Sequence, residues 1–381
     1  MSFRQGQDKA CKSVREQVVS QAKLVVIKVG SDVLAQRGEG AGQYDRRVIR
    51  DLAESVGKLH SRGIKVVLVS SGAIGSGLAE LGRASRPKKM DQLQAAAAIG
   101  QPHLMRLYET ALAKRGLKVG QILLTRSDFE NRQRYLNIQR TIDALHKMQA
   151  VPVINENDTV AVEEIRFGEN DILAGLVVNL LRADLLIFLS TVDGLLKAGK
   201  VVDVVKEVEQ SVYDLDHGRR SPGGLGGMSS KLQSAEMVSR AGEAAIIANG
   251  KVRHVIDRLL AGERLGTLFL PAEKKLIARR RWIGSAAKTA GSLIVDDGAV
   301  QAIQESRKSL LAIGITSVRG SFRAGQVVEV LGPDGQEIAR GRANYSSRQI
   351  RKIVGLKSSQ IRDLLGESSQ EEVIHADNLA V

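Results

Sequence analysis

Six short runs of aliphatic and β-branched residues, each closing on a polar residue or a glycine, alternate with longer stretches of helical spacing between residues 24 and 270. The runs are LVVIKVG (24–30), KVVLVSSG (65–72), VGQILLT (119–125), AVPVIN (150–155), LLIFLS (185–190) and AAIIANG (244–250). The helical stretches cover 46–61, 92–115, 134–148, 171–182 and 230–241. Strands that read as continuous apolar runs are buried on both faces, which requires helices above and below a mostly parallel sheet. The pattern therefore predicts an α/β, three-layer sandwich, with ligands beyond the carboxyl ends of the strands. Chemistry is to be sought in the polar residues that close the runs.

The alternation lapses near 271–291 into a basic stretch, and the residues beyond it show short strands and turn dipeptides such as Pro333-Asp334-Gly335. This predicts a small, mostly β, barrel-like domain over 291–370. The division expected is an N-terminal extension (1–21), a sandwich domain (22–272), a linker (273–290), the β domain (291–370) and a tail (371–381). The first twenty and last dozen residues are polar enough to read as frayed or weakly docked.

A single cysteine, Cys11, excludes an intramolecular disulfide and any multi-cysteine metal centre, and it fits a reducing, cytoplasmic setting. No run of about 18 apolar residues is present, and the N-terminus has no secretory apolar core, so neither a membrane span nor export is expected. The formal net charge of +14 raises nucleic acid as a partner. Yet residues 273–381 hold 17 basic against 12 acidic side chains, so the excess is spread along the chain rather than gathered in one tail. Residues 291–381 also offer only Phe322 and Tyr345 for stacking on bases, so RNA binding is expected as a secondary activity at most.

Five places at run ends suit an anion. Lys28 sits inside an apolar run just ahead of Gly30; it is either a phosphate ligand beside open backbone or an edge lysine that snorkels. Ser70-Ser71-Gly72-Ala73-Ile74-Gly75-Ser76-Gly77 follows a strand and enters a helix, so small residues let backbone N–H groups approach an anion. Asn155-Glu156-Asn157-Asp158-Thr159 closes another run and can grip an ammonium or fix hydrogen bonds, although a turn also favours these residues. Phe167-Gly168-Glu169-Asn170-Asp171 leads into a helix, where Asp171 serves either as an N-cap or as a carboxylate that orients lysines around a phosphoryl group. Ser221 to Lys231 packs four glycines, hydroxyls and a lysine at a helix entrance, a plausible clamp for nucleotide phosphates.

Common nucleotide motifs are missing. The Gly-Lys pairs at 57–58, 199–200 and 250–251 precede Leu, Val and Val, so no Walker A motif exists. The dinucleotide fingerprint is broken by Glu80 and by Ser229, and the six histidines are scattered without ligand spacing. What remains is phosphoryl transfer by another design.

The ordered strings VIKVGS, SSGAIGSG, PVINENDTV, GENDILA, GGMSSKL and GTLF resemble the amino acid kinase family, and within it the glutamate-phosphorylating branch. The C-terminal domain resembles a PUA domain. The resemblance implies transfer of the γ-phosphoryl group of ATP to the γ-carboxylate of L-glutamate, giving L-glutamyl 5-phosphate, the first step of proline biosynthesis. It implies Lys28, Lys231 and Asp171 as catalytic residues, with Ser71, Asp158 and Asn170 holding glutamate. ATP would be held by Lys28, Ser190, Thr191, Leu225, Gly226, Gly227, Met228, Ser229, Ser230 and Lys231. Mg²⁺ would be carried mainly by the ATP phosphates, with no dedicated protein ligands. A homo-oligomer (dimer or tetramer), feedback by proline and a glutamyl phosphate reductase as partner belong to the same expectation. Where the family often shows Thr-Asp this chain has Ser190-Thr191, and where it often shows Thr this chain has Leu225. Other readings are a sibling kinase acting on a different carboxylate, and an RNA-binding protein working through the β domain.

Overall fold

The computed structural model describes residues 13–36, 44–83, 85–160, 169–215, 227–272, 283–284, 287–357, 360–361, 364 and 370–381. From the N-terminus its elements are α1 (Val14–Ser20), β1 (Leu24–Val29), α2 (Ser31–Leu34), α3 (Arg46–Ser61), β2 (Lys65–Ser70), α4 (Ala73–Glu80), α5 (Met90–Ala113) and β3 (Lys118–Leu124). There follow α6 (Arg126–Glu130), α7 (Arg132–Lys147), β4 (Ala150–Glu156), α8 (Glu169–Leu181), β5 (Leu185–Ser190), the short strands β6 (Leu196–Lys197), β7 (Lys200–Val201) and β8 (Val204–Val205), and α9 (Gln210–Tyr213). The series closes with α10 (Met228–Arg240), β9 (Ala244–Asn249), α11 (Val255–Leu260) and β10 (Thr267–Phe269). All six strands expected from the apolar runs are present, each within a residue or two of its predicted bounds.

The chain divides into two compact units, one of residues 1–125 and 138–275, the other of 126–137 and 276–381. The first is built on an eight-stranded sheet ordered β3-β4-β2-β1-β5-β9-β10-β8. From β3 to β9 every neighbouring pair is parallel, whereas β10 runs antiparallel to β9 and β8 runs parallel to β10. β1 lies between β2 and β5, and from it the connection runs to β2 on one side, while from β5 the sheet grows through β9 on the other. The order thus reverses at the β1/β5 pair, where a crevice opens beyond the strand ends in sheets of this kind.

Both faces of the sheet are covered. Val25, Ile27, Val29, Val66 and Leu68 share one core with Leu52, Val56, Leu93 and Leu104 of α3 and α5. On the opposite face α8 packs on β1, β2, β4 and β5, and α10 packs on β9 and β5. Two helices of the first face meet unusually closely. A Cβ on Gly77 of α4 would fall 1.8 Å from the Ala96 carbonyl oxygen of α5, and one on Gly100 of α5 would fall 1.9 Å from that of Ala73. The crossing exists only because neither position has a side chain.

The second unit carries a five-stranded sheet in the order Ile315–Gly320, Thr289–Val295, Val327–Leu331, Glu337–Arg342, Leu379–Ala380. Its core gathers Leu293, Val295, Val328, Val330, Ile350 and Val373.

The ends correct the sequence reading. The last dozen residues are not frayed: Glu372–Ile374 pairs with Leu310–Leu311, Leu379–Ala380 pairs with Glu337–Arg342, and Leu379 and Ala380 are buried. Two adjacent pairs of buried apolar residues, Val373-Ile374 and Leu379-Ala380, suffice for this, too few for a periodicity signal. Near the N-terminus, α1 carries a capping box of Ser13 and Glu16, and its Arg15 is buried. That guanidinium donates to Asp203 Oδ1 at 2.7 Å and to the Leu265 carbonyl at 2.9 Å. A buried arginine satisfied mainly by backbone carbonyls leaves no trace in a hydropathy pattern.

Candidate active site

Alternation along β1 decides where Lys28 points. Since Val25, Ile27 and Val29 face the α3/α5 core, Lys28 faces the other side, toward α8. There its Nζ lies 2.6 Å from Asp171 Oδ1, and Lys231 Nζ of α10 lies 3.0 Å from Asp171 Oδ2. The Ser230 hydroxyl donates to the same Oδ2 at 2.8 Å. Asp171 has no exposed surface, and both lysines are buried. The snorkelling alternative for Lys28 is therefore dismissed, and the N-cap alternative for Asp171 falls too, because α8 begins two residues earlier at Glu169.

What brings α8 and α10 together is a small-residue contact one turn further along. A Cβ on Gly175 would come within 2.5 Å of Ser234 Oγ, so the Ser234 side chain packs directly on the Gly175 backbone there. Asp171 precedes Gly175 by one turn, as Ser230 precedes Ser234, and the carboxylate meets its partners at that spacing.

Burial pushes the Lys28 ammonium below its ordinary value, and Asp171 offsets this only in part. Burial alone would raise Asp171, but Lys28 and Lys231 outweigh it and hold the carboxyl below the usual range. Two ammoniums share one buried carboxylate, so the triad retains a positive charge that an incoming anion would satisfy. A further carboxylate, Asp32 of α2, acts on Lys28, Lys231 and Lys251; its own burial raises it above its usual value. Sequence reasoning passed over Asp32, although an acid two residues beyond the strand-end Gly30 was a usable signal.

The glycine segment divides its labour. Gly72 takes a left-handed φ of 113° at the N-cap of α4, Gly77 serves the helix crossing, and Gly75 has open space where a Cβ would stand. Gly77 is thus committed to the helix crossing rather than to an anion, and the reading of the glycine segment is corrected at that position. Ser71 is tied to the end of β1 by its N–H to the Val29 carbonyl at 3.2 Å. Beneath the segment, Ser70 Oγ and the buried Tyr108 hydroxyl share a hydrogen bond of 2.7 Å. Tyr108 comes from the C-terminal part of α5, where an aromatic reads as core, and nothing in the sequence joins it to Ser70.

At the polar end of β4, Asn155 is structural. It is buried, donates to Gln101 Oε1 of α5 at 2.8 Å, and accepts from the Glu156 N–H at 2.9 Å. Asp158 is half-buried, and its charge acts on the half-buried Arg86. Asn170 stands beside Asp171, its carboxamide oxygen buried with no hydrogen-bond partner among the described residues.

On the other side of β1, Ser190 closes β5, with half-buried Thr191 next to it. Asn249 at the end of β9 donates to Asp193 Oδ1 at 2.8 Å, which ties these two strand ends together. Gly227 precedes α10, and its carbonyl lies 3.0 Å from Ser230 Oγ and 3.4 Å from Lys231 Nζ. Met228, Ser229 and Ser230 form the first turn of α10, whereas Leu225 and Gly226 lie outside the described residues. Direct contacts thus join Lys28, Asp171, Ser230 and Lys231, and the backbone joins Ser71 to the end of β1.

Such an array has the chemistry to bind a polyanion and to stabilise charge that moves between two of them. Nothing in it resembles a base poised to take a proton, and a carboxylate acceptor would need none.

Residues 23–249 match the model of the amino acid kinase family, and residues 291–365 match that of the PUA domain. The chain is 45% identical over 370 residues to a glutamate 5-kinase of Pseudomonas entomophila, covering 95% of this chain and 99% of that one. It is 43% identical over 364 residues to a glutamate 5-kinase of Caldanaerobacter subterraneus, covering 94% and 97%. Among solved structures, a Giardia carbamate kinase superimposes with a TM-score of 0.48 at 20% identity, over 66% of this chain and all of the other. A UMP kinase of Bacillus anthracis gives 0.46 at 14% identity, over 65% and 96%.

Proposed function

The chain belongs to the amino acid kinase family and carries a PUA domain after it, and on that footing we infer that it transfers the γ-phosphoryl group of ATP to the γ-carboxylate of L-glutamate, giving L-glutamyl 5-phosphate. This is the first step of proline biosynthesis. The observation that carries the residue assignment is the buried Lys28–Asp171–Lys231 triad at the point where the sheet order reverses.

In this reading the sandwich domain, residues 22–272, holds the whole reaction. Lys28 and Lys231 flank the transferring phosphoryl group and take up the charge that spreads over its oxygens. Asp171 holds both lysine side chains in place and supplies their counter-charge before substrate arrives. The acceptor γ-carboxylate is ionised at neutral pH, so alignment and charge neutralisation are the enzyme's task. Ser71, Asp158 and Asn170 are assigned to glutamate, with Asp158 answering the α-ammonium and the Asn170 carboxamide hydrogen-bonding the substrate. Ser190, Thr191 and the segment from Leu225 to Lys231 are assigned to ATP. Both Asp171 oxygens are engaged by Lys28, Lys231 and Ser230, so the nucleotide phosphates would hold Mg²⁺, which would neutralise part of their charge.

The same reading carries a cytoplasmic location, a dimer or tetramer, feedback by proline, and a glutamyl phosphate reductase that consumes the labile acyl phosphate. Among the described residues no helix is long and apolar enough to cross a membrane. RNA contact through residues 291–370 stays secondary.

The test is ATP-dependent acyl-phosphate formation trapped with hydroxylamine, using glutamate, N-acetylglutamate and aspartate in parallel. Strong preference for glutamate is the expected result; equal or better use of another acceptor would transfer the protein to a sibling activity. Asp158→Ala is expected to raise the glutamate KM about tenfold or more and to leave the ATP KM nearly unchanged. An equal rise in both would remove Asp158 from the glutamate site.

A pH profile follows from the lowered Lys28. Its charge is lost as pH rises through a value below the ordinary 10.5, so kcat/KM, which reports the free enzyme, should fall on that alkaline limb. Bound nucleotide phosphates restore counter-charge, so the limb in kcat should lie at higher pH. Lys28→Arg, which cannot deprotonate in this range, should lose the limb. A limb that persists in that variant would point to another group.

A further inference from the structure

We propose that Asp51, Glu54 and His254, backed by Ser55, form a binding site for one divalent first-row transition cation of the Zn²⁺ type, separate from the kinase centre. Asp51, Glu54 and Ser55 stand at i, i+3 and i+4 on α3 and so share one face of that helix. His254 caps the start of α11, which packs against α3. One ligand atom from each of Asp51, Glu54 and His254 lies within 4.8 Å of the others, the separation at which a single ion can be shared.

Two further observations point to a missing occupant. Ser55 is 1% exposed, and its hydroxyl has no hydrogen-bond partner among the described residues; His254 Nδ1 is likewise buried and unpartnered. Both residues border one small cavity, about 10 Å³, which Asp51 also lines. That is room for a single water-sized particle or ion. His254 also holds a left-handed φ of 51°, uncommon for a residue with a side chain.

The surroundings permit a cation. Lys251, which borders the same cavity, turns its ammonium to the Ala35 carbonyl at 2.7 Å and to Asp45 at 3.2 Å. Arg50 Nε is 3.8 Å from Asp51 Oδ1, and Glu54 gives Oε1 to Arg115 at 2.9 Å while keeping a second carboxylate oxygen. An imidazole with two carboxylates is a nitrogen–oxygen donor set that favours Zn²⁺ over Mg²⁺, which takes oxygen ligands and retains its waters. A bound ion would pin α11 to α3 on the face of the sheet away from Asp171.

The test uses the full chain, stripped with a chelator and titrated with Zn²⁺ by calorimetry and with Co²⁺ by visible absorption. One equivalent of Zn²⁺ is expected, together with the intense Co²⁺ bands of a four- or five-coordinate site. His254→Asn keeps a residue type that tolerates the left-handed backbone, and Asp51→Asn keeps the side-chain shape. Each should weaken Zn²⁺ binding at least about tenfold and abolish the Co²⁺ bands, with Mg²⁺-dependent kinase activity unchanged. Zn²⁺ should also raise the unfolding temperature of the parent chain and not that of the variants. Binding of equal strength in parent and variants, or Co²⁺ that keeps its six-coordinate spectrum, would overturn the proposal.

Discussion

Asp171→Asn is expected to lower kcat by about a thousandfold and to destabilise the protein by about 3–5 kcal/mol, the loss typical when one partner of a buried charge cluster is removed. The variant keeps the side-chain shape but leaves Lys28 and Lys231 without their shared counter-charge. Lys28, already lowered by burial, would then shed its proton more readily, so the alkaline limb of the rate should move to lower pH. Stability should also lose part of its acid dependence. A carboxyl held below its ordinary value stabilises the fold above the unfolded-state pKa, and that contribution disappears as pH falls through the folded value. Denaturant melts at neutral and acid pH, run beside steady-state kinetics, check both claims. A variant of parental stability and rate would show that the triad is not the charge centre of the site.

Lys231→Ala is expected to reduce kcat by about 10²–10³-fold, with the glutamate KM within about twofold of the parent. Among the described residues its Nζ meets Asp171 at 3.0 Å and the Gly227 carbonyl at 3.4 Å, which places a compact charge beside the site of a phosphoryl group that carries more charge in transit than at rest. Lys231→Arg should not rescue the rate, because the larger planar group replaces a compact charge in a buried position. Kinetics with ATP and glutamate varied in turn separate the outcomes. A loss confined to the ATP KM would make Lys231 a binding residue only.

Much of this was legible in the sequence because the signals were local. Each strand is a single run, and Lys28 stood out as a charge inside one of them. The polar residues that close the runs also lie where chemistry collects in such sheets. What escaped depends on residues far apart in the chain. Asn155 read as a site residue, but its amide is committed to Gln101 on another element, and Gly77 read as an anion cradle when its task is to admit α5. Tyr108 reaches Ser70 across 38 residues, and His254 reaches Asp51 across about 200. The buried tail at Leu379–Ala380 escaped because two residues that complete a sheet carry no period of their own.

The central position of β1 has a consequence for synthesis. Lys28 leaves the ribosome about 143 residues before its counter-charge, Asp171, an interval of roughly 7–29 s at 5–20 residues per second. Throughout that time β1 is also missing its β5 neighbour, and the strand cannot settle with both faces covered. An early strand with a buried charge thus makes the first unit wait for a carboxylate and a strand from its own second half, while its apolar early segments are already outside.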